Sequence, residues 1–161
     1  MKKITIVRHA KSSWEHEVTD RKRPLNSKGF RDAELVSKYL INLNLKFDYL
    51  ISSNAIRAKT TANIFIENLK IDKNNCSLNS DLYDFTGENL VKIIENCSNS
   101  VNHLIIFGHN HAITNFVNTY GSLYFDNIPT CGVSILEFKI DTWRELKQGK
   151  TIKTIFPKDL K

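Results

Sequence analysis

The sequence predicts an α/β fold with three layers (α/β/α) around a mostly parallel central sheet. Short apolar runs rich in β-branched residues alternate with longer segments whose apolar residues recur at helical spacing. This alternation is typical of strand–helix–strand units, whose crossover helices cover both faces of a sheet. A length of 161 residues is enough for one sizeable core, so we expect residues 1–161 to form a single domain.

The predicted strands are short apolar runs bounded by polar or turn-prone residues. The first stops abruptly at Arg8-His9, and the clearest one ends at Gly108-His109. The third is the weakest, because polar residues interrupt it. In chain order, the predicted strands cover residues 3–7, 48–53, 76–82, 103–107, 132–138 and 151–156.

The predicted helices have apolar residues every three to four positions. The first begins after Pro24-Leu25-Asn26, where proline supplies a stop and Asn26 or Ser27 a possible N-cap. The third begins after the turn-prone Thr86-Gly87 pair. In chain order, the helical patterns cover residues 27–43, 58–69, 90–94 and 112–117.

The composition predicts a soluble, cytoplasmic protein that binds neither membranes nor nucleic acid. No apolar stretch approaches the ~20 residues of a membrane helix, and the first apolar run is too short for a signal peptide. The three cysteines lack metal-like spacing, so we expect reduced thiols. The net charge of +6 is dispersed along the chain without the interleaved aromatic residues of nucleic-acid modules.

Cationic and imidazole side chains follow three of the predicted strands. Arg8-His9 ends the first strand, Arg57 falls in the first turn of the helix after the second, and His109 follows the fourth. In a parallel sheet the carboxyl ends of the strands meet at one edge, where ligands collect. Guanidinium groups and helix N-termini bind anions, so the pattern predicts a phosphate-centred site.

These residues lie in motifs that resemble those of the histidine phosphatase superfamily, whose fold is also called phosphoglycerate mutase-like. The resemblance spans nearly the whole chain and is greatest to the small SixA-like phosphohistidine phosphatase branch. The motifs that carry it are Arg8–Trp14, Arg23–Gly29, Ser52–Ala62, Gly108–Asn110, Pro129–Gly132 and Pro157–Leu160.

The resemblance implies a role for each site residue. His9 is the expected nucleophile, which attacks phosphorus and becomes a phosphohistidine that water then hydrolyses. Arg8, Arg57 and His109 are expected to bind the phosphoryl oxygens and stabilise the transition state. Nearby arginines disfavour protonation of an imidazole, which suits a nucleophile. We expect no metal and no other cofactor.

The identity of a proton donor is less defined. Many members of the family use a glutamate after the third strand, and residues 82–88 lack the corresponding pattern. Asp84 is the first candidate and Glu88 the next, although each is equally interpretable as a plain loop or helix-start carboxylate. A weak proton donor is sufficient for a substrate with a good leaving group. The nitrogen of phosphohistidine is such a group, which favours phosphohistidine in a protein as the substrate. The alternatives are a phosphatase or mutase acting on a phosphorylated metabolite, and a non-catalytic phosphate-binding protein.

Three further polar residues lie in or beside these motifs. Ser12 and Arg23 are candidates for substrate contact, with a solvated loop an equally good interpretation. His111 stands where the branch usually has proline, and the His109-x-His111 spacing also occurs in metal sites. With no carboxylate or cysteine nearby to complete a ligand set, we expect His111 at the pocket rim instead.

Overall fold

The computed structural model describes residues 1–161 and contains six strands. Their bounds are β1 (Lys2–Arg8), β2 (Tyr49–Ser52), β3 (Cys76–Leu78), β4 (His103–Gly108), β5 (Val133–Phe138) and β6 (Lys150–Ile155). The four α-helices are α1 (Ser27–Ile41), α2 (Ile56–Leu69), α3 (Glu88–Glu95) and α4 (Ala112–Tyr120). Each helix lies between two consecutive strands, as the alternating pattern predicts.

All six strands form one sheet in the order β3-β2-β4-β1-β5-β6. The pairs β2–β3, β2–β4 and β1–β4 are parallel. The pairs β1–β5 and β5–β6 at the other side are antiparallel. The prediction of a mostly parallel sheet is therefore confirmed, with β5 the one strand that runs in the opposite direction.

The sheet separates two hydrophobic clusters. Successive side chains of a strand point to opposite faces, so Ile4 and Ile6 of β1 belong to one cluster and Val7 to the other. Helices α3 and α4 contribute to the first cluster, and α1 and α2 to the second. The three layers are therefore helices, sheet and helices, as predicted. No helix combines the length and apolar character that a membrane span requires.

The third predicted strand is shorter than expected. The sequence predicts a strand over residues 76–82, whereas β3 ends at Leu78 and a 3₁₀ turn covers Ser80–Leu82. The side-chain oxygen of Asn79 accepts a hydrogen bond from the backbone N–H of Asp81 at 2.9 Å. This local bond stabilises a helical turn where the apolar pattern alone predicts an extended chain.

The register of the central strands brings their carboxyl ends to one edge of the sheet. Arg8 of β1 pairs with Gly108 of β4, and Ser52 of β2 pairs with Phe107 of β4. The residues that follow these three strands therefore leave the sheet side by side. This edge holds every candidate site residue that the sequence placed at a strand end.

Candidate active site

The backbone of His9 is fixed from two sides. Its N–H donates to the carbonyl of Gly108 at 3.1 Å, which continues the β1–β4 ladder by one residue. The N–H of Cys131 lies 3.0 Å from the carbonyl oxygens of both Arg8 and His9. The imidazole therefore projects from a rigid strand end, which is how a reactive group is held in one orientation.

The environment of the His9 ring defines its tautomer. Nδ1 lies 2.7 Å from the carbonyl oxygen of Ala10, which only accepts hydrogen bonds, so Nδ1 carries the proton. Nε2 is then unprotonated, and its lone pair accepts a hydrogen bond from Nε of Arg57 at 3.3 Å. Burial, together with neighbouring His109, Arg57 and Arg8, lowers the pKa of His9 to about 3. At neutral pH the ring is an uncharged base.

Arg57 lies in the first turn of α2, where the sequence predicts it. Its side chain is buried, and three of its nitrogens donate hydrogen bonds. Besides the bond to His9, Nη1 donates to the backbone oxygen of Asp20 at 2.6 Å and Nη2 to the carboxylate Oδ2 of Asp20 at 2.9 Å. One guanidinium group therefore connects the imidazole with a carboxylate.

The second guanidinium, that of Arg8, is only partly satisfied. Nη1 donates to the carbonyl of Ile128 at 2.8 Å, whereas the buried Nε has no hydrogen-bond partner. Burial and the charge of Arg57 lower the pKa of Arg8, so the two cations destabilise each other. An anion held between them would relieve this repulsion and accept the unpaired N–H.

His109 completes the cluster. Nε2 lies 2.9 Å from Oγ of Ser53, and the ring centroid lies 5.2 Å from that of His9. Nδ1 is buried without a partner, as is Nε of Arg8. Burial and the charge of Arg57 lower the pKa of His109 to about 3. The structure thus brings together the four residues Arg8, His9, Arg57 and His109.

Asp84 has a different environment from that expected of a proton donor. Oδ2 accepts the backbone N–H groups of Gly87, Asn89 and Leu90, each at 3.1 Å, and Oδ1 accepts that of Thr86 at 3.2 Å. Although burial opposes it, this backbone hydrogen bonding lowers the pKa of Asp84. The carboxylate is an acceptor at the start of α3, so the geometry favours the helix-start interpretation over proton donation.

Ser12 and Arg23 contact each other. Nη2 of Arg23 donates to Oγ of Ser12 at 2.5 Å, and Nε donates to the carbonyl of Ser13 at 3.1 Å. The guanidinium also stacks on the exposed ring of Trp14, 3.2 Å from the ring centroid. These bonds join the two ends of the segment between β1 and α1, and they engage both side chains that were expected to contact substrate.

Glu88 and His111 lie outside the cluster. Glu88 is the first residue of α3 and makes no side-chain hydrogen bond to a site residue. His111 is exposed at the N-cap position of α4. No group of three or more His, Cys, Asp or Glu side chains is arranged to hold a metal ion.

Sequence reasoning missed Asp20 and Tyr83. Both lie in polar loops, and neither has a spacing or flanking pattern that distinguishes it from solvated residues. Asp20 begins a 3₁₀ turn, and its carboxylate accepts bonds from Arg57, Arg23 and the hydroxyl of Tyr83. The ring of Tyr83 packs edge-on against His109, with centroids 5.3 Å apart. Only the tertiary structure reveals these contacts, because Arg57 and Tyr83 lie 37 and 63 positions from Asp20 in the sequence.

Phe85 adds an aromatic wall to the site. Its ring centroid lies 5.3 Å from that of His109 and 5.0 Å from that of Tyr83. Unlike His109, the Phe85 side chain is 44% exposed. An exposed ring at the edge of a buried polar cluster offers a face on which a planar group can stack.

The fold is similar to solved structures of SixA phosphatases. A proposed phosphohistidine phosphatase SixA from Agrobacterium tumefaciens superimposes with a TM-score of 0.82 over 97% of this chain and 98% of that one, at 21% identity. The protein histidine phosphatase SixA complexed with tungstate gives 0.80 over 99% of each chain, at 15% identity. At these identities the likeness shows the fold, which is phosphoglycerate mutase-like as predicted.

One sequence comparison gives a partial match to a curated protein, and a second identifies the family. Fructose-2,6-bisphosphatase TIGAR from Xenopus tropicalis is 36% identical over 74 residues, which make up 44% of this chain and 26% of that protein. The chain spans about a quarter of the length of the curated relatives it matches. The model of the histidine phosphatase superfamily, branch 1, matches residues 4–85, just over half of the chain. That stretch includes Arg8, His9 and Arg57, and the chain therefore belongs to the histidine phosphatase superfamily.

Proposed function

We propose that the protein is a metal-independent phosphatase that forms a phosphohistidine intermediate on Nε2 of His9. The observation that carries the proposal is the state of that nitrogen. Its lone pair is free of a proton, because Nδ1 faces a carbonyl, and two guanidinium groups lie beside it. A neutral nucleophile next to fixed cations is the arrangement that phosphoryl transfer needs.

In the first step, the lone pair of Nε2 attacks phosphorus. A bond forms between Nε2 and phosphorus while the bond to the leaving atom breaks. Arg8 and Arg57 bind the equatorial oxygens, and His109 donates from the nitrogen that carries its proton. These donors are held by buried contacts before substrate arrives, so little reorganisation is needed when negative charge develops.

In the second step, water attacks the phosphorus of the intermediate. The new bond joins the water oxygen to phosphorus, and the electrons of the broken bond return to Nε2. The products are inorganic phosphate and His9 in its original state. Splitting one displacement into two lowers the barrier of each.

We propose phosphohistidine in a protein as the substrate. The engagement of Asp84 with four backbone N–H groups supports this, because a good nitrogen leaving group depends less on a strong acid than an alkoxide does. The exposed face of Phe85 beside His109 also supports it, since the leaving imidazole is planar.

The test is release of phosphate from p-nitrophenyl phosphate and from a phosphohistidine-containing protein, each with and without chelator. We expect turnover of both, unaffected by chelator and abolished in His9→Ala. His16→Ala is the matched control, because His16 is an exposed loop residue. Activity that requires added metal, or that survives in His9→Ala, would overturn the proposal. Binding of phosphate without turnover would favour the non-catalytic alternative.

A phosphorylated metabolite is the second candidate, favoured by the partial match to a protein named fructose-2,6-bisphosphatase. That candidate predicts a strong preference for one metabolite in a substrate panel. It also predicts that Asp84→Asn cuts the rate steeply, since an alkyl alcohol needs a proton donor. The phosphohistidine proposal predicts little change in the rate of the same variant.

A further inference from the structure

Asp20 supplies the only carboxylate that is hydrogen-bonded to any of the four clustered residues. Asp84 accepts backbone N–H groups of the α3 start, and Glu88 makes no hydrogen bond to the cluster. Asp20 by contrast accepts from Arg57 through both its carboxylate and its backbone oxygen. A reaction at His9 that needs a carboxylate as proton acceptor therefore has one candidate within reach.

The position of Asp20 relative to the nucleophile follows from a single planar group. Nε of Arg57 donates to Nε2 of His9 at 3.3 Å, while Nη2 of the same guanidinium donates to Oδ2 of Asp20 at 2.9 Å. A phosphoryl group bonded to Nε2 and bound by Arg57 therefore comes to lie next to the Asp20 carboxylate. Asp20 is 44% exposed, so water reaches this carboxylate directly.

Three side chains hold the Asp20 carboxylate in place. Nη1 of Arg23 donates to Oδ1 at 3.1 Å, and the Tyr83 hydroxyl donates to Oδ2, which also accepts from Arg57. Although burial opposes it, hydrogen bonds from Tyr83, Arg57 and Arg23 lower the pKa of Asp20, so the group is ionised at neutral pH. An ionised carboxylate accepts protons and has none to donate.

We propose that Asp20 accepts the proton of the water molecule that hydrolyses phosphorylated His9, an inference that rests on the function proposed above. In this step the water oxygen bonds to phosphorus, the P–Nε2 bond breaks, and its electron pair returns to Nε2. One water proton moves to a carboxylate oxygen of Asp20 and then to solvent. When a phosphoryl group binds beside Arg57, the Asp20 carboxylate gains an anionic neighbour, which makes it a stronger base at that moment.

The test is rapid mixing of Asp20→Asn with p-nitrophenyl phosphate. Asparagine keeps the size of the side chain but does not accept the proton. We expect a burst of p-nitrophenolate approaching one equivalent per enzyme, followed by steady-state turnover reduced about 10²-fold or more. Phosphorylated His9 should accumulate and be visible as a mass increase of one phosphoryl group. Added formate, a diffusible carboxylate, should accelerate the slow phase in Asp20→Ala.

The matched control is Asp81→Asn, which removes an exposed carboxylate of the nearby 3₁₀ turn. The Asp81 side chain makes no hydrogen bond or ion pair to a site residue. The Asp81→Asn variant should show no burst of p-nitrophenolate, and its turnover should not be slower than that of the wild type. Equal slowing of burst and steady state in Asp20→Asn would overturn the inference, because it indicates a general structural effect. Unchanged or faster turnover would overturn it as well. If the wild type turns over through no phosphorylated His9 at all, the proposed function fails instead, and labelled substrate distinguishes the two failures.

Discussion

Acid should destabilise this protein through three histidines that are buried as neutral rings. Burial is the main cause in each case, and it lowers the pKa of His9 to about 3, of His103 to about 4 and of His109 to about 3. In the unfolded chain each titrates near its ordinary value of 6.5. Between the folded and unfolded pKa values the unfolded chain binds more protons, so stability is complete above pH 6.5 and falls as the pH decreases.

The size of the effect follows from these values. At pH 5 each unfolded imidazole is almost fully protonated and each folded one is neutral, which costs about 2 kcal/mol per histidine and about 6 kcal/mol for three. Carboxylates with lowered pKa, such as Asp20 and Asp84, lose their contribution only below their ordinary values near 4. The window between pH 5 and 6.5 therefore reports on the histidines.

Urea unfolding followed by circular dichroism at pH 7.5 and pH 5 measures the effect. His103 provides an internal check, because it lies at the amino end of β4, away from the site, with Nε2 2.7 Å from Oγ1 of Thr5. His103→Asn should remove about a third of the pH dependence, whatever its effect on absolute stability. Equal unfolding free energies at the two pH values would refute the assignment of neutral buried rings.

Three further predictions concern single residues. Asp84→Ala should lower the free energy of unfolding by about 1–3 kcal/mol in urea titrations, because the N–H groups at the start of α3 lose their acceptor. Gly29→Ala should lower the melting temperature, since an added Cβ would overlap the carbonyl oxygen of Lys11. Arg57→Lys should reduce kcat/KM about 10²-fold or more in steady-state assays. An ammonium group cannot reproduce the planar guanidinium that connects His9 with Asp20.

The sequence predicts an element best where one simple hydropathy pattern extends over its whole length. β4 is a continuous apolar run and that of β1 is interrupted only by Thr5, because both faces of these strands are buried, and their ends locate His9 and His109 within one residue. The third strand was predicted too long because a side-chain bond of Asn79 starts a 3₁₀ turn, which hydropathy does not register. Hydropathy patterns therefore do not predict element boundaries that are set by local hydrogen bonds.

The site was predictable in part for the same reason. Arg8 ends β1, His9 and His109 directly follow β1 and β4, and Arg57 lies in the first turn of the helix after β2, so strand order brings all four to one edge. Asp20 reaches Arg57 only because the segment after β1 folds back across the sheet edge. Its partners Arg57 and Tyr83 lie 37 and 63 positions away in sequence. Such a contact depends on the tertiary structure, so no local sequence pattern predicts it.

The origin of the four clustered side chains has a consequence for folding. They come from three segments about fifty residues apart, which lie at or after the ends of β1, β2 and β4. An anion bound among them acts as a non-covalent cross-link between distant parts of the chain, and only the assembled sheet offers that binding site. Ligation and global unfolding are therefore coupled, and a phosphate analogue at a hundred times its Kd should add about 2.7 kcal/mol to the free energy of unfolding. An inhibitor of this site would also be a folding stabiliser of the whole sheet.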